Sequence, residues 1–355
     1  MHVDWELAAR IARSAAGDDS AGPSAAPPRL AEIASAARDQ VVAATGLEPR
    51  AALPPAEWID RGAWIDANLA TMRRTIGPAL AGADDPDATP PAPGSFAGRI
   101  QQAGSAVMAA EIGGLLGLFA RRVLGQYELD LTDPDAPPRL LLVGPNLDRA
   151  ARELDADRDN LVTWVTLHEV THAVQFGAVD WLRPTLGGAL QELLGAMDVR
   201  LDPRTLLKTN MDDLKALVDS VREGGLVGAV IGAERKAVLD RVQGTMGLVE
   251  GHAEWAMDRA GEDVVPDVEA LRDAMDRRRD DRAPLLRILD RLLGFDLKLK
   301  QYAQGRQFCD AIVAARGEDG LRDAWSSADL APSSAELAAP ALWLARTASP
   351  ADEAA

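Results

Sequence analysis

Residues 161–176 read LVTWVTLHEVTHAVQF, and this stretch decides the fold. Leu161, Val162, Trp164, Val165, Leu167, Val174 and Phe176 leave little of it polar, so an interior helix is expected. Asp157 and Asp159 offer capping at its start. Within it stand His168, Glu169 and His172, an H-E-x-x-H. Side chains four apart on a helix lie one turn apart on the same face. His168 and His172 can therefore aim two ring nitrogens at one point. Glu169 sits about 100° around the helix, so its carboxylate can reach a water at that point without being a ligand. Two imidazoles and a carboxylate are costly to bury on an apolar helix without partners. Zinc is the metal that suits such a set, because it takes nitrogen and oxygen ligands and keeps one position open in catalytic sites.

A catalytic zinc needs a third protein ligand. The chain has 1 Cys, Cys309, and 4 His, so the choice is His252, His2 or a carboxylate. Residues 247–258 read GLVEGHAEWAMD. On a helix Glu250 and Glu254 share a face, while His252 points to roughly the opposite side from Glu250. Glu250 is the preferred ligand, with His252 or another carboxylate as alternatives. Glu254 would then lie one turn along, placed to accept a hydrogen bond from the outer nitrogen of His168 or His172. An acidic pair at this spacing is usually a solvated face. Here it is flanked by Leu248-Val249 and by Trp255-Ala256-Met257, which makes exposure less natural.

Further from these motifs, composition narrows the class. The 355 residues are 47% hydrophobic and 26% charged, which suits one large or two modest globular domains. Asp and Glu number 55 against 38 Lys and Arg, a formal charge of −17. That sign disfavours nucleic acid and anionic membranes as partners. A single cysteine excludes an intramolecular disulfide and any zinc site built on several thiolates. The first residues lack the basic start and apolar run of a signal peptide, so a cytoplasmic protein is expected. Residues 103–120, AGSAVMAAEIGGLLGLFA, reach only the minimum spanning length of about 17–25 residues. They carry Glu111 and are read as a buried helix rather than a membrane span.

Two stretches, 17–28 and 82–94, are dense in proline, glycine and aspartate and read as loops. Helical patterns cover 3–15 and 30–45, the second stopped by Gly46. One strand is clear at 139–143, with 127–131 as a possible partner. Most of the chain beyond Asp148 reads helical. The expected fold is mainly α with a small β-sheet, an α+β protein. Its expected organisation is an N-terminal helical region over 1–94, a zinc-binding catalytic domain over 95–347, and a flexible tail over 348–355.

H-E-x-x-H followed some 80 residues later by E-G-H-A-E-W resembles the gluzincin branch of the zincin-like metallopeptidases. The chain also resembles a family of zincin-like hydrolases of high-GC Gram-positive bacteria, some linked to biosynthesis of a deazaflavin coenzyme. The shared residues include Val3-Asp4-Trp5, Asp60-Arg61 with Trp64, Gly144-Pro145-Asn146, both metal motifs, and Trp343 near the end. The resemblance implies a zincin-like fold and one zinc per chain held by His168, His172 and Glu250. It also implies Glu169 as general base and a Tyr or His near the metal to stabilise the developing oxyanion. Of the 2 Tyr, Tyr302 is the candidate for that role, with a packing Tyr as the plainer reading. Arg306, one turn on, is read as pairing with a local acid or else binding a substrate carboxylate. The expected reaction is hydrolysis of a peptide bond. The alternatives are a small amide or ester as substrate, or a zincin fold kept as a non-catalytic binding module.

Overall fold

The computed structural model describes residues 3–17, 24–78, 95–195, 233–261, 265–266, 268–280 and 295–348. The expected domain boundary at 94, the loop 82–94 and the tail beyond 348 lie outside the described residues, as does His2. The chain divides into two compact units. One comprises Met1–Ala36, Pro54–Val170 and Leu194–Arg200, and the other Ala37–Leu53, Thr171–Leu193 and Leu201–Ala355.

The first unit holds helices α1 (Trp5–Ala16), α3 (Arg61–Thr75), α4 (Phe96–Ala120) and α5 (Gly144–Leu154), and a three-stranded sheet. Helix α2 (Leu30–Thr45) begins in it. The sheet order is β1 (Ala56–Ile59), β3 (Arg139–Val143), β2 (Gly125–Glu128). Strand β1 runs parallel to β3, with Ala56 opposite Leu140, and β2 runs antiparallel, with Gly125 opposite Leu142. The central strand is apolar from Leu140 to Val143, and these four are all buried, both faces being covered. Strand β2 starts at Gly125, earlier than the expected 127–131. Strand β1 was not expected at all. Its four residues carry too little alternation to register as a strand, and tertiary partners hold it: Trp58 Nε1 donates to Ser24 O at 3.0 Å, and Arg139 of β3 forks onto Glu57 at 2.6 and 2.9 Å.

The motif residues shared near the N-terminus prove to be joints of this unit. Asp4 and Asp60 cap α1 and α3 by accepting from Leu7 N at 2.8 Å and Ala63 N at 2.7 Å. Arg61 Nε donates to Asn146 Oδ1 at 2.8 Å, and Asn146 Nδ2 donates to the carbonyls of Ala120 and Val123. Buried Arg61 and Asn146 thus tie α3, α5 and the end of α4 together.

Helix α4 departs from the expected buried helix. It lies against α1 at Gly113 and Gly117, where a Cβ would meet Ala8 O and Ala12 O at 2.5 Å. Ala109, Leu116 and Ala120 are buried, yet Val107 is 59% exposed, and only 28% of 102–120 is buried. The small residues Ala8, Ala12 and Ala16 of α1 pack on one stripe of α4, and much of the rest is only half-buried. By length and composition alone α4 is the one helix among the described residues that could cross a membrane.

The second unit is mainly helical among its described residues. It contains α7 (Leu182–Gly195), α8 (Ala233–Gly261), α9 (Val268–Asp280), α10 (Phe295–Ser326), α11 (Ser334–Ala338) and α12 (Pro340–Arg346). Gly46 closes α2 with φ +69°, its N–H donating to Val42 O at 2.8 Å. Gly317 kinks α10 at φ 73°. Helices α8 and α10 touch backbone to backbone: a Cβ on Gly251 would sit 2.1 Å from Gly305 C. The glycine of E-G-H-A-E is there because nothing larger fits.

Candidate metal centre

Helix α6 (Arg158–Ala178) carries the H-E-x-x-H. Asp157 caps it, its Oδ1 accepting from Asn160 N at 2.9 Å. Leu161, Leu167 and Val174 are fully buried, as the apolar pattern requires. So are Thr166, Thr171 and Gln175, with Glu169 only 7% exposed. A helix with this much buried polarity needs partners, and several are in place.

His172 Nε2 lies 3.7 Å from Glu250 Oε2 of α8. His168, His172 and Glu250 each offer a ligand atom, all within 4.8 Å of one another. Tetrahedral ligands about 2.1 Å from a zinc sit roughly 3.4 Å apart, so small side-chain adjustments bring this set to ligating distance. Two imidazole nitrogens and one carboxylate oxygen are a donor set that zinc hydrolases use. The residues therefore fit the metal. The His172 and Glu250 side chains are 12% and 22% exposed.

Glu169 points toward strand β2. Tyr127 N donates to its Oε2 at 2.8 Å. Val143 N bonds to Leu124 O across the sheet, so the alternation of an antiparallel ladder turns the Tyr127 N–H to the outer edge. Gly125 makes room for this approach: a Cβ there would stand 2.7 Å from Glu169 Cγ. Sequence reasoning missed both, because a backbone N–H has no residue signature.

His252 is not among the grouped ligands. It is 2% exposed and its Nδ1 lies 3.1 Å from Gln175 Nε2. Its ring stacks on Trp255 at 5.4 Å and meets Trp325 edge-on at 4.7 Å. Burial first, and then the neighbouring His172, push its pKa down to about 3, so the ring is neutral. Gln175 was also missed. It stands one turn past His172 on α6, with its Oε1 2.9 Å from His172 Nδ1 and its Nε2 2.9 Å from Val249 O. The signal was its i, i+3 spacing from a proposed ligand. Glu254 is half-buried one turn past Glu250 on α8. Tyr302 lies on α10, but its side chain is outside the described residues. Arg306 pairs with Asp258 and with Asp310, the latter at 2.9 Å, the local acids expected of it.

A crystal structure from Chloroflexus aurantiacus, described as that of a "putative hydrolase with a novel fold", resembles the chain with a TM-score of 0.67 and 27% identity. The match covers 97% of this chain and 98% of that one. No curated protein matches. Residues 3–344 match the family model described as zincin-like metallopeptidase. With two histidines and a glutamate converging from two helices and a family match over nearly its whole length, the chain belongs to the zincin-like metallopeptidases.

Proposed function

We propose that this chain is a zinc-dependent peptidase of the gluzincin type, with His168, His172 and Glu250 as ligands and Glu169 as general base. The observation that carries the reading is the grouping of those three side chains within 4.8 Å. Zinc bound there would supply a Lewis acid for a substrate carbonyl and lower the pKa of a water toward about 7. Glu169 takes a proton from the attacking water and returns it to the leaving amine. The Tyr127 N–H holds Glu169 Oε2. The carboxylate is thereby fixed in one orientation before substrate arrives, which spares the cost of ordering it during the reaction. Glu254, one turn past Glu250, is the carboxylate that would orient a ligating imidazole. The substrate is a peptide, in keeping with the family, and an amide nitrogen is the leaving group that this proton transfer serves.

The direct test is zinc content by mass spectrometry of the purified chain, alongside cleavage of a broad peptide library. One zinc per chain and library cleavage that is lost in Glu169→Gln are expected. Metal-free protein that stays metal-free in excess zinc would overturn the site. A zinc-loaded chain that cleaves small amides or esters but no peptide would overturn the substrate class alone.

A further inference from the structure

Gln175 is fully buried, and its amide meets three groups from two helices of one unit. Val249 O is a carbonyl and can only accept, so the group facing it at 2.9 Å is the Gln175 NH2. Its other hydrogen points to His252 Nδ1 at 3.1 Å, which must then be an acceptor. With the NH2 so committed, Gln175 Oε1 faces His172 Nδ1 at 2.9 Å, and a carbonyl oxygen there requires Nδ1 to carry the proton. His172 is left with its lone pair on Nε2, the nitrogen 3.7 Å from Glu250 Oε2.

We infer that Gln175 is a positioning residue that sets the tautomer of His172 and fixes α8 against α6 so that Glu250 stands opposite His172. The inference rests on the metal-site reading above. One amide performs both tasks because its two ends have opposite polarity. Its oxygen holds the ligand's imidazole, and its nitrogen grips the carbonyl of Val249, the residue before Glu250. A carboxylate could orient the ring but could not donate to Val249. An aliphatic side chain could fill the space and do neither. Such outer partners tune affinity by fixing ring orientation and basicity.

Imidazole 15N shifts of the metal-free wild-type chain, which has only 4 His to assign, test this without any variant. The proton is expected on Nδ1 of His172 and on Nε2 of His252. A proton on Nε2 of metal-free His172 would overturn the inference. Gln175→Met keeps the length and removes the polarity. It should weaken zinc about 10–100-fold in chelator competition while stoichiometry stays at one, with His172 becoming a mixture of tautomers. An affinity within about twofold of wild type would mean that Gln175 only fills volume, and would likewise overturn it. Should the wild type bind no zinc, the metal reading falls while the tautomer measurement still decides the role of Gln175, so the two fail separately.

Discussion

Helices α4 and α6 invert what their compositions suggest. Helix α4 is the more apolar, yet Val107 stands 59% exposed and only 28% of 102–120 is buried. Helix α6 carries two histidines, a glutamate, a glutamine and several threonines, yet Thr166, Thr171 and Gln175 are fully buried. The difference lies in what each helix meets. Helix α4 meets one stripe of alanines on α1, which approaches closely at Gly113 and Gly117 but is too narrow to cover the rest. Several polar groups of helix α6 find partners: Glu169 the N–H of Tyr127, His172 the amide of Gln175, and Gln175 the carbonyl of Val249, whereas the buried Thr166 hydroxyl has none among the described residues. Burial of polarity is tolerated where hydrogen bonds are made. Exposure of apolar surface is tolerated where no partner is wide enough to hide it.

The comparison can be pressed hardest at Glu169. Glu169→Gln keeps the acceptor for Tyr127 N–H but removes the base, so turnover should fall about 10²–10⁴-fold with zinc retained. Unchanged turnover would show that the buried carboxylate of α6 serves packing alone. Next comes the third ligand. Glu250→Ala should lose tight zinc, whereas His252→Ala should keep one zinc per chain. Chelator competition on the two variants side by side reads the difference, and the reverse order would make the site a three-histidine one.

Smaller effects bear on packing. A Cβ at Gly251 meets the Gly305 backbone at 2.1 Å, and one at Gly117 meets Ala12 O at 2.5 Å. Neither neighbour is a side-chain end that can swing away. Gly251→Ala should therefore cost about 3 kcal/mol and Gly117→Ala about 1–2 kcal/mol, read from denaturant midpoints at constant slope. Only the first should also lower zinc affinity, since only it displaces the helix of Glu250. The smallest effect is expected at the open face of α4: Val107→Ser should change stability by no more than about 0.5 kcal/mol. A loss well beyond that would mean that something covers this face in solution.

The clearest part of the fold in the sequence was whatever repeats along one element. Helix α2 and its stop at Gly46 followed from periodicity and a glycine at positive φ. The strand 139–143 stood out by its apolar run 140–143, whose two faces are both buried. Strand β1 did not, because the ladder to β3 and the fork from Arg139 to Glu57 hold it, and these come from about 80 residues away. The shift of β2 to 125–128 has the same cause: its register is set by pairing with 139–142, which local alternation cannot supply.

At the metal centre the division is equally physical. The spacing of His168 and His172 on one helix is a local fact, fixed by 3.6 residues per turn. That Glu250 and His252, two apart on one helix, cannot both face that point is a local fact of the same kind. What only the tertiary structure decided is the set of groups around them. The Tyr127 N–H reaches Glu169 because an edge strand with a glycine passes there. His252 is neutral and enclosed because Trp255 and Trp325 pack on it. Gln175 meets Val249 because α8 and α6 lie side by side. Sequence specifies side chains and their order along a helix. Which donor faces which acceptor across helices is settled by packing, since a hydrogen bond demands placement to a few tenths of an ångström that no local pattern encodes.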